Sequence, residues 1–243
     1  MQNEYLIMLI PAAVAVAGGV LALLWNPSAQ ARSLIQHFAA GVVLSALSVE
    51  LLPEIGREHA RPWVLIASFA AGSLLMFGLK LLTEKLESGV EHDKHSGVAT
   101  AGAALPVGLL LATFIDIATD GFIIGAGCVS SGESGLILAL GLSVELLFLG
   151  LALMSDALKG WRMVVLTTLL GVVVFVFAAL GNWLLNGASH DVMGAVLAAS
   201  AAALLYLVTE ELLIEAHEVQ EKNYSVLVLF AGFLSFWAVQ LLA

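Results

Sequence analysis

The chain is written in blocks. Stretches of mostly apolar residues, each near the roughly 20 that a helix needs to cross the hydrocarbon core of a bilayer, occur at 5–25, 33–52, 63–82, 101–129, 135–158, 163–185, 192–214 and 225–242. Short polar breaks separate them at 26–28, 56–62, 83–97, 130–134, 159–162, 186–191 and 215–223, and carry Gly, Pro, Asn and Ser suited to turns. The pattern predicts an all-α membrane protein, a bundle of eight transmembrane helices in one transmembrane domain over 1–243, with no room for a separate soluble domain. Gly and Ala recur within the blocks, as at 12–19, 39–41, 101–104 and 198–203, where small side chains let helices approach closely.

Composition supports the same class. Of 243 residues 60% are hydrophobic and only 12% charged, with a mean hydropathy of +1.01. A soluble domain is about half apolar and a quarter charged, so lipid is the solvent that this surface expects. The first block is too long for a secretory leader and no Lys or Arg precedes Arg32, so it is expected to stay as a helix. Numbering the connections in order puts Arg32, Lys80, Lys85, Lys94, Lys159, Arg162 and Lys222 on the odd-numbered side and only Arg57 and Arg61 on the other. By the positive-inside rule the odd connections are cytoplasmic and both termini lie outside, in an integral membrane protein of the bacterial plasma (inner) membrane. The single cysteine, Cys128, excludes an internal disulfide and a thiolate cluster.

The net charge of −10 matters through its placement. Nucleic acid is not an expected partner; the lipid bilayer is. A carboxylate at mid-membrane depth costs at least a few kcal/mol and is by default paired or functional. Asp116 and Asp120 fall deep in the fourth block and Glu145 in the fifth. The two aspartates are four apart and share a helical face one turn apart. No Lys or Arg lies deep in any block, and the nearest, such as Lys80 and Lys159, are terminal, so a bound cation or protons must neutralise the trio. Glu50 lies near the outer end of the second block with Glu54 just beyond Pro53; Glu210, Glu211 and Glu215 form a similar group at the other end of the seventh. These acids read either as solvated helix ends or as two vestibules that attract cations.

Several of these stretches resemble the ZIP (Zrt/Irt-like protein) metal transporters. HFAAGVVLSALSVELLPE from His37 to Glu54 looks like the family's second helix, and ALLYLVTEELLIEAHE from Ala203 to Glu218 is similar to its seventh, with Ile214 where the family has proline. FIDIATDGFIIGAG from Phe114 to Gly127 keeps the family's Asp-Gly as Asp120-Gly121, with Asp116 in place of a histidine and Ile117 in place of an asparagine. VELLFLGLAL from Val144 to Leu153 keeps Gly150-Leu151-Ala152; Glu145 replaces a histidine, Phe148 a proline and Leu149 a glutamate. In the sixth block Thr168 stands where the family has another glutamate.

The resemblance implies a ZIP-like fold, a homodimer, and a divalent metal cation transporter of Zn/Fe/Mn type moving ions into the cytoplasm, with ligands from the fourth and fifth helices. It implies a metal site of Asp116, Asp120, Glu145, Glu50 and Glu211, with Thr113, water or a carbonyl completing the shell. The metal is cargo, with no resident cofactor. Exchanging two imidazoles for carboxylates shifts preference toward harder ions such as Mn, with Zn, Fe and Cd also candidates. Losing the glutamates at Leu149 and Thr168 removes one of two metal positions that the family can carry.

Two other readings stay open. One is a ZIP-fold relative that has lost transport and serves as a sensor or partner subunit. The other is an intramembrane enzyme, in which Asp116 and Asp120 hold a metal that activates water. The enzyme has less support, because none of His37, His59, His92, His95, His190 and His217 falls at mid-membrane, and the chain is read as not an enzyme. Glu87, Glu91, His92, Asp93 and His95 in the third connection read as a solvated loop, His37 as an interfacial hydrogen-bonding residue, His217 as a solvated histidine or an acceptor for an ion leaving inward, and Asp156 as a helix end.

Overall fold

A computed structural model describes residues 2–25, 27–93, 107–152, 160–217 and 224–242, and every regular element among them is helical. The helices are α1 (Gln2–Leu24), α2 (Ala29–Arg57), α3 (Pro62–Asp93), α4 (Val107–Ser130), α5 (Gly132–Ala152), α6 (Trp161–Leu185), α7 (His190–Leu207, continued by Val208–Leu212 and Leu213–His217) and α8 (Ser225–Leu242). Eight of the described helices are long and apolar enough to span a membrane, as an integral membrane protein requires. Asp156, Lys159, Lys94, His95, Glu218 and Lys222 lie outside the described residues.

Burial sorts the helices into two sets. In α2, α4, α5 and α7, 67, 67, 67 and 61% of the most apolar window is buried, against 33, 11, 39 and 17% in α1, α3, α6 and α8. The first four therefore form the inside of the bundle and the second four present their apolar sides outward, toward lipid. All the acids singled out above for a site lie on the inner four.

Helices α2, α7 and α3 depart from the plain hydropathy pattern. Helix α2 does not stop at residue 52: it passes through a π-helical segment, Ala46–Leu51, and continues through Pro53 to Arg57. Proline lacks the N–H that an α-helix interior uses and crowds the preceding turn, and the widened turn just before it takes up that misfit. Helix α7 carries a matching π segment, Val208–Leu212. Each π segment packs against the other helix, so the two wide turns face a shared interior. Helix α3 runs on to Asp93 through the expected third loop, because Glu, Lys and Leu are good helix formers in water as well as in lipid. The loop expected at 83–97 is thus helical as far as Asp93.

Helices α4 and α5 form an antiparallel hairpin broken only at Ser131, whose Oγ caps α5 by accepting the Ser134 amide at 3.0 Å. On its other side α4 lies tightly against α6. A Cβ at Gly125 would meet the Ala178 carbonyl oxygen and, at 2.8 Å, the Asn182 amide nitrogen, both backbone atoms. This close approach fixes the face of α4 that carries the aspartates. Gly125→Ala should therefore cost about 1–3 kcal/mol through overpacking, whereas Gly78→Ala in α3, where nothing lies within 4 Å, should be neutral or stabilising by up to about 1 kcal/mol. Thermal unfolding in one detergent distinguishes the two.

Candidate metal site

Asp116, Asp120 and Glu145 come together. One carboxylate oxygen from each lies within 4.8 Å of the others, and the residues are only 8, 1 and 5% exposed. At 1.5 Å per residue, Asp120 stands about 15 Å from the Ser130 end of α4, the midpoint of a core roughly 30 Å thick. Asp116 is one turn nearer the odd-numbered connections. Glu145 reaches the same level from α5, which runs antiparallel.

Two oxygens of this cluster, Asp120 Oδ2 and Glu145 Oε2, are fully buried without a hydrogen-bond partner. A buried polar atom is nearly always satisfied, and an acceptor-only carboxylate oxygen is satisfied by a donor or by a cation. Oxygen donors at this spacing suit a hard or borderline divalent ion.

Glu211 joins the trio from α7. It lines a cavity of about 90 Å³ together with Asp116, Ile115, Met76, Leu79, Lys80, Tyr206 and Glu210, and it lies within electrostatic reach of all three carboxylates. Glu211 sits in the π segment of α7, and Glu50 is buried, 5% exposed, in that of α2. The α2 segment packs against α5, the helix of Glu145. Single π turns recur at functional sites; here they set acids on the inner side of the bundle. The solvated-end reading of Glu50 is thereby corrected. Thr113 is buried three residues before Asp116.

Lys80 is not merely terminal. It lines the same cavity as Asp116, and its ammonium pairs with Glu210 Oε2 at 2.7 Å. The protein therefore supplies one cation beside the cavity, outside the trio itself.

At the opposite end, bearing the even-numbered connections, acids are drawn into a latch. Ser130 Oγ contacts Glu54 Oε1 and, at 2.9 Å, Glu58 Oε1, and its single hydroxyl proton serves one at a time. Arg57 Nη1 donates to Glu54 Oε2 at 2.8 Å, and His190 Nδ1 lies 3.0 Å from Glu58 Oε2. Arg61 donates to Asp191 through both its backbone amide, 2.9 Å, and its Nε, 2.7 Å. These bonds tie the ends of α2, α4 and α7 together. Glu54, expected beyond the helix, is inside it and 5% exposed.

The two positions where glutamates are missing stay out of the site's chemistry. Leu149 packs against the apolar core, and the Thr168 hydroxyl donates to the Val164 carbonyl of its own helix at 2.6 Å. Cys128 is a buried free thiol at the end of α4, as expected. No protein-family model and no curated protein sequence matches the chain.

Three crowded carboxylates repel one another, so neutralising one relieves the protein. In metal-free buffer Glu145→Gln and Asp120→Asn should raise the melting temperature. Mn²⁺ should stabilise the wild type by mass action, about 2.7 kcal/mol at a hundredfold excess over its dissociation constant, and neither variant. Melting curves with and without chelator read both effects.

Proposed function

We propose that the chain carries divalent metal cations across a membrane, with Asp116, Asp120 and Glu145 as the central site and Glu50 and Glu211 on its two approaches. The observation that carries this reading is the trio itself: three buried carboxylates from two inner helices, with two oxygens left for a partner that no described basic side chain provides. The likeness of the second, fourth, fifth and seventh helices to ZIP transporters, residue by residue as set out above, agrees with it. So does the line of acids along the inner helices, from Glu54 through Glu50 and the trio to Glu211 and Glu210.

In this reading the metal is cargo. The trio exchanges part of an ion's water for carboxylate oxygens, and Glu211 receives the ion from Asp116 across the shared cavity. The latch of Glu54, Glu58, Ser130 and His190 closes the other end while the cavity offers the way out. With the odd-numbered connections cytoplasmic, the state is inward-facing, and the resemblance to ZIP carriers implies transport into the cell. An all-oxygen set favours Mn²⁺ over ions that prefer imidazole, with Fe²⁺, Zn²⁺ and Cd²⁺ as competitors. No described histidine reaches the depth of the trio, which favours a carrier over a metal hydrolase.

A relative of such carriers that binds without transporting is the second reading, and Thr168 and Leu149 favour it, since neither offers the donor that a second metal position would need. Uptake into proteoliposomes separates the two. One ion of the panel Mn²⁺, Fe²⁺, Zn²⁺, Cd²⁺, Mg²⁺ and Ca²⁺ should accumulate, and Asp120→Asn and Glu145→Gln should each abolish it; no accumulation of any ion leaves the binding protein. Lys80→Gln removes a positive charge from the exit cavity, so the local cation concentration rises. The KM for an ion offered from that side should fall, in a flux assay run in the reverse direction.

A further inference from the structure

His37 and His217 are 180 positions apart in sequence, yet their rings meet at the end of the bundle bearing the odd-numbered connections, with centroids 5.4 Å apart and planes tilted by 50°. His37 is buried, 2% exposed, near the start of α2, whereas His217 is exposed. In both rings Nδ1 faces a main-chain carbonyl four residues earlier in its own helix: Ser33 O at 2.8 Å for His37, and Leu213 O for His217. A carbonyl only accepts, so Nδ1 carries the hydrogen in each neutral ring and the lone pair resides on Nε2. A metal-binding histidine is held in the same way, its other nitrogen donating to a carbonyl or carboxylate that fixes tautomer and ring orientation.

The spacing fits as well. Two imidazoles on one tetrahedral ion, with metal–nitrogen bonds of about 2.0–2.1 Å, have centroids about 5 Å apart. Ser33 Oγ donates to Ala216 O at 2.6 Å, tying the start of α2 to the end of α7 beside the two rings and holding their separation. His217 also borders an open cavity of about 440 Å³ with Thr209, Leu213 and Ile214, wide enough to admit a hydrated ion.

We infer that His37 and His217 form a second cation site, a two-imidazole site that takes a borderline divalent ion such as Zn²⁺, Co²⁺ or Ni²⁺, its remaining positions filled by water. Its chemistry differs from that of the carboxylate trio, so its selectivity differs: nitrogen donors favour these ions and discriminate against Mg²⁺ and Ca²⁺. The site stands on the histidine pair and does not depend on transport by the trio. If the trio does carry ions, the pair lies at the end where they leave.

The test uses Co²⁺ on the full chain in lipid nanodiscs, with the Asp120→Asn/Glu145→Gln double variant as background so that the trio contributes nothing. X-ray absorption should show two imidazoles on the bound cobalt. Both His217→Ala and His37→Ala should lose that signature. Because His37 is buried, a His37→Cys/His217→Cys variant guards against misfolding: it should bind Co²⁺ or Cd²⁺ with a thiolate charge-transfer band. Absence of the imidazole signature from the background protein, its persistence in both alanine variants, or a folded double-cysteine variant without a thiolate band overturns the proposal. Failure of the carrier reading has a separate mark, loss of Mn²⁺ stabilisation and of uptake in the otherwise wild-type protein.

Discussion

Like-charge crowding at mid-membrane depth is the constraint on which the rest of this structure turns. At the 4.8 Å limit of the trio and an effective dielectric of about 20, two carboxylates, when both are ionised, repel by on the order of 3 kcal/mol. Burial, with only 8, 1 and 5% of Asp116, Asp120 and Glu145 exposed, removes most of the bulk water that would screen them at a surface. In the function proposed above, a divalent ion between them would turn the same field from a liability into binding energy. The surrounding bundle is arranged so that such an ion could approach: α2, α4, α5 and α7 carry acids from end to end, while α1, α3, α6 and α8 keep lipid away.

Two features give that line of acids a direction. The hydrogen bonds of Ser130, Arg57 and His190 gather Glu54 and Glu58 into a closed knot at one end, and on the other side of the trio Asp116 and Glu211 line a shared cavity. Lys80, paired with Glu210 beside that cavity, offsets part of the negative charge there. The π segments of α2 and α7 matter for the same reason, since each carries an acid into the interior at a wide turn.

Much of this was readable in the sequence, and the remainder was not for identifiable reasons. Hydropathy reports the exchange of lipid for water, so the eight spans stood out, and the trio with them, because an acid four residues from another inside an apolar run has few uses. Hydropathy does not report where a helix ends once it leaves lipid, and α3 accordingly runs to Asp93. Nor does it distinguish an α from a π turn, so Glu50, Glu54 and Glu211 could be taken for solvated ends. The meetings of Lys80 with Glu210 and of His37 with His217 join residues 130 and 180 apart, and only the packing of α3 on α7 and of α2 on α7 brings them together.

The central claim is that the trio binds a divalent ion directly. Anomalous diffraction from crystals of the full chain grown with Mn²⁺ tests it. The account predicts a manganese peak at carboxylate coordination distance, about 2.0–2.5 Å, from oxygens of Asp116, Asp120 and Glu145. A well-ordered trio with no peak among its oxygens, at Mn²⁺ concentrations that raise the melting temperature, would contradict it.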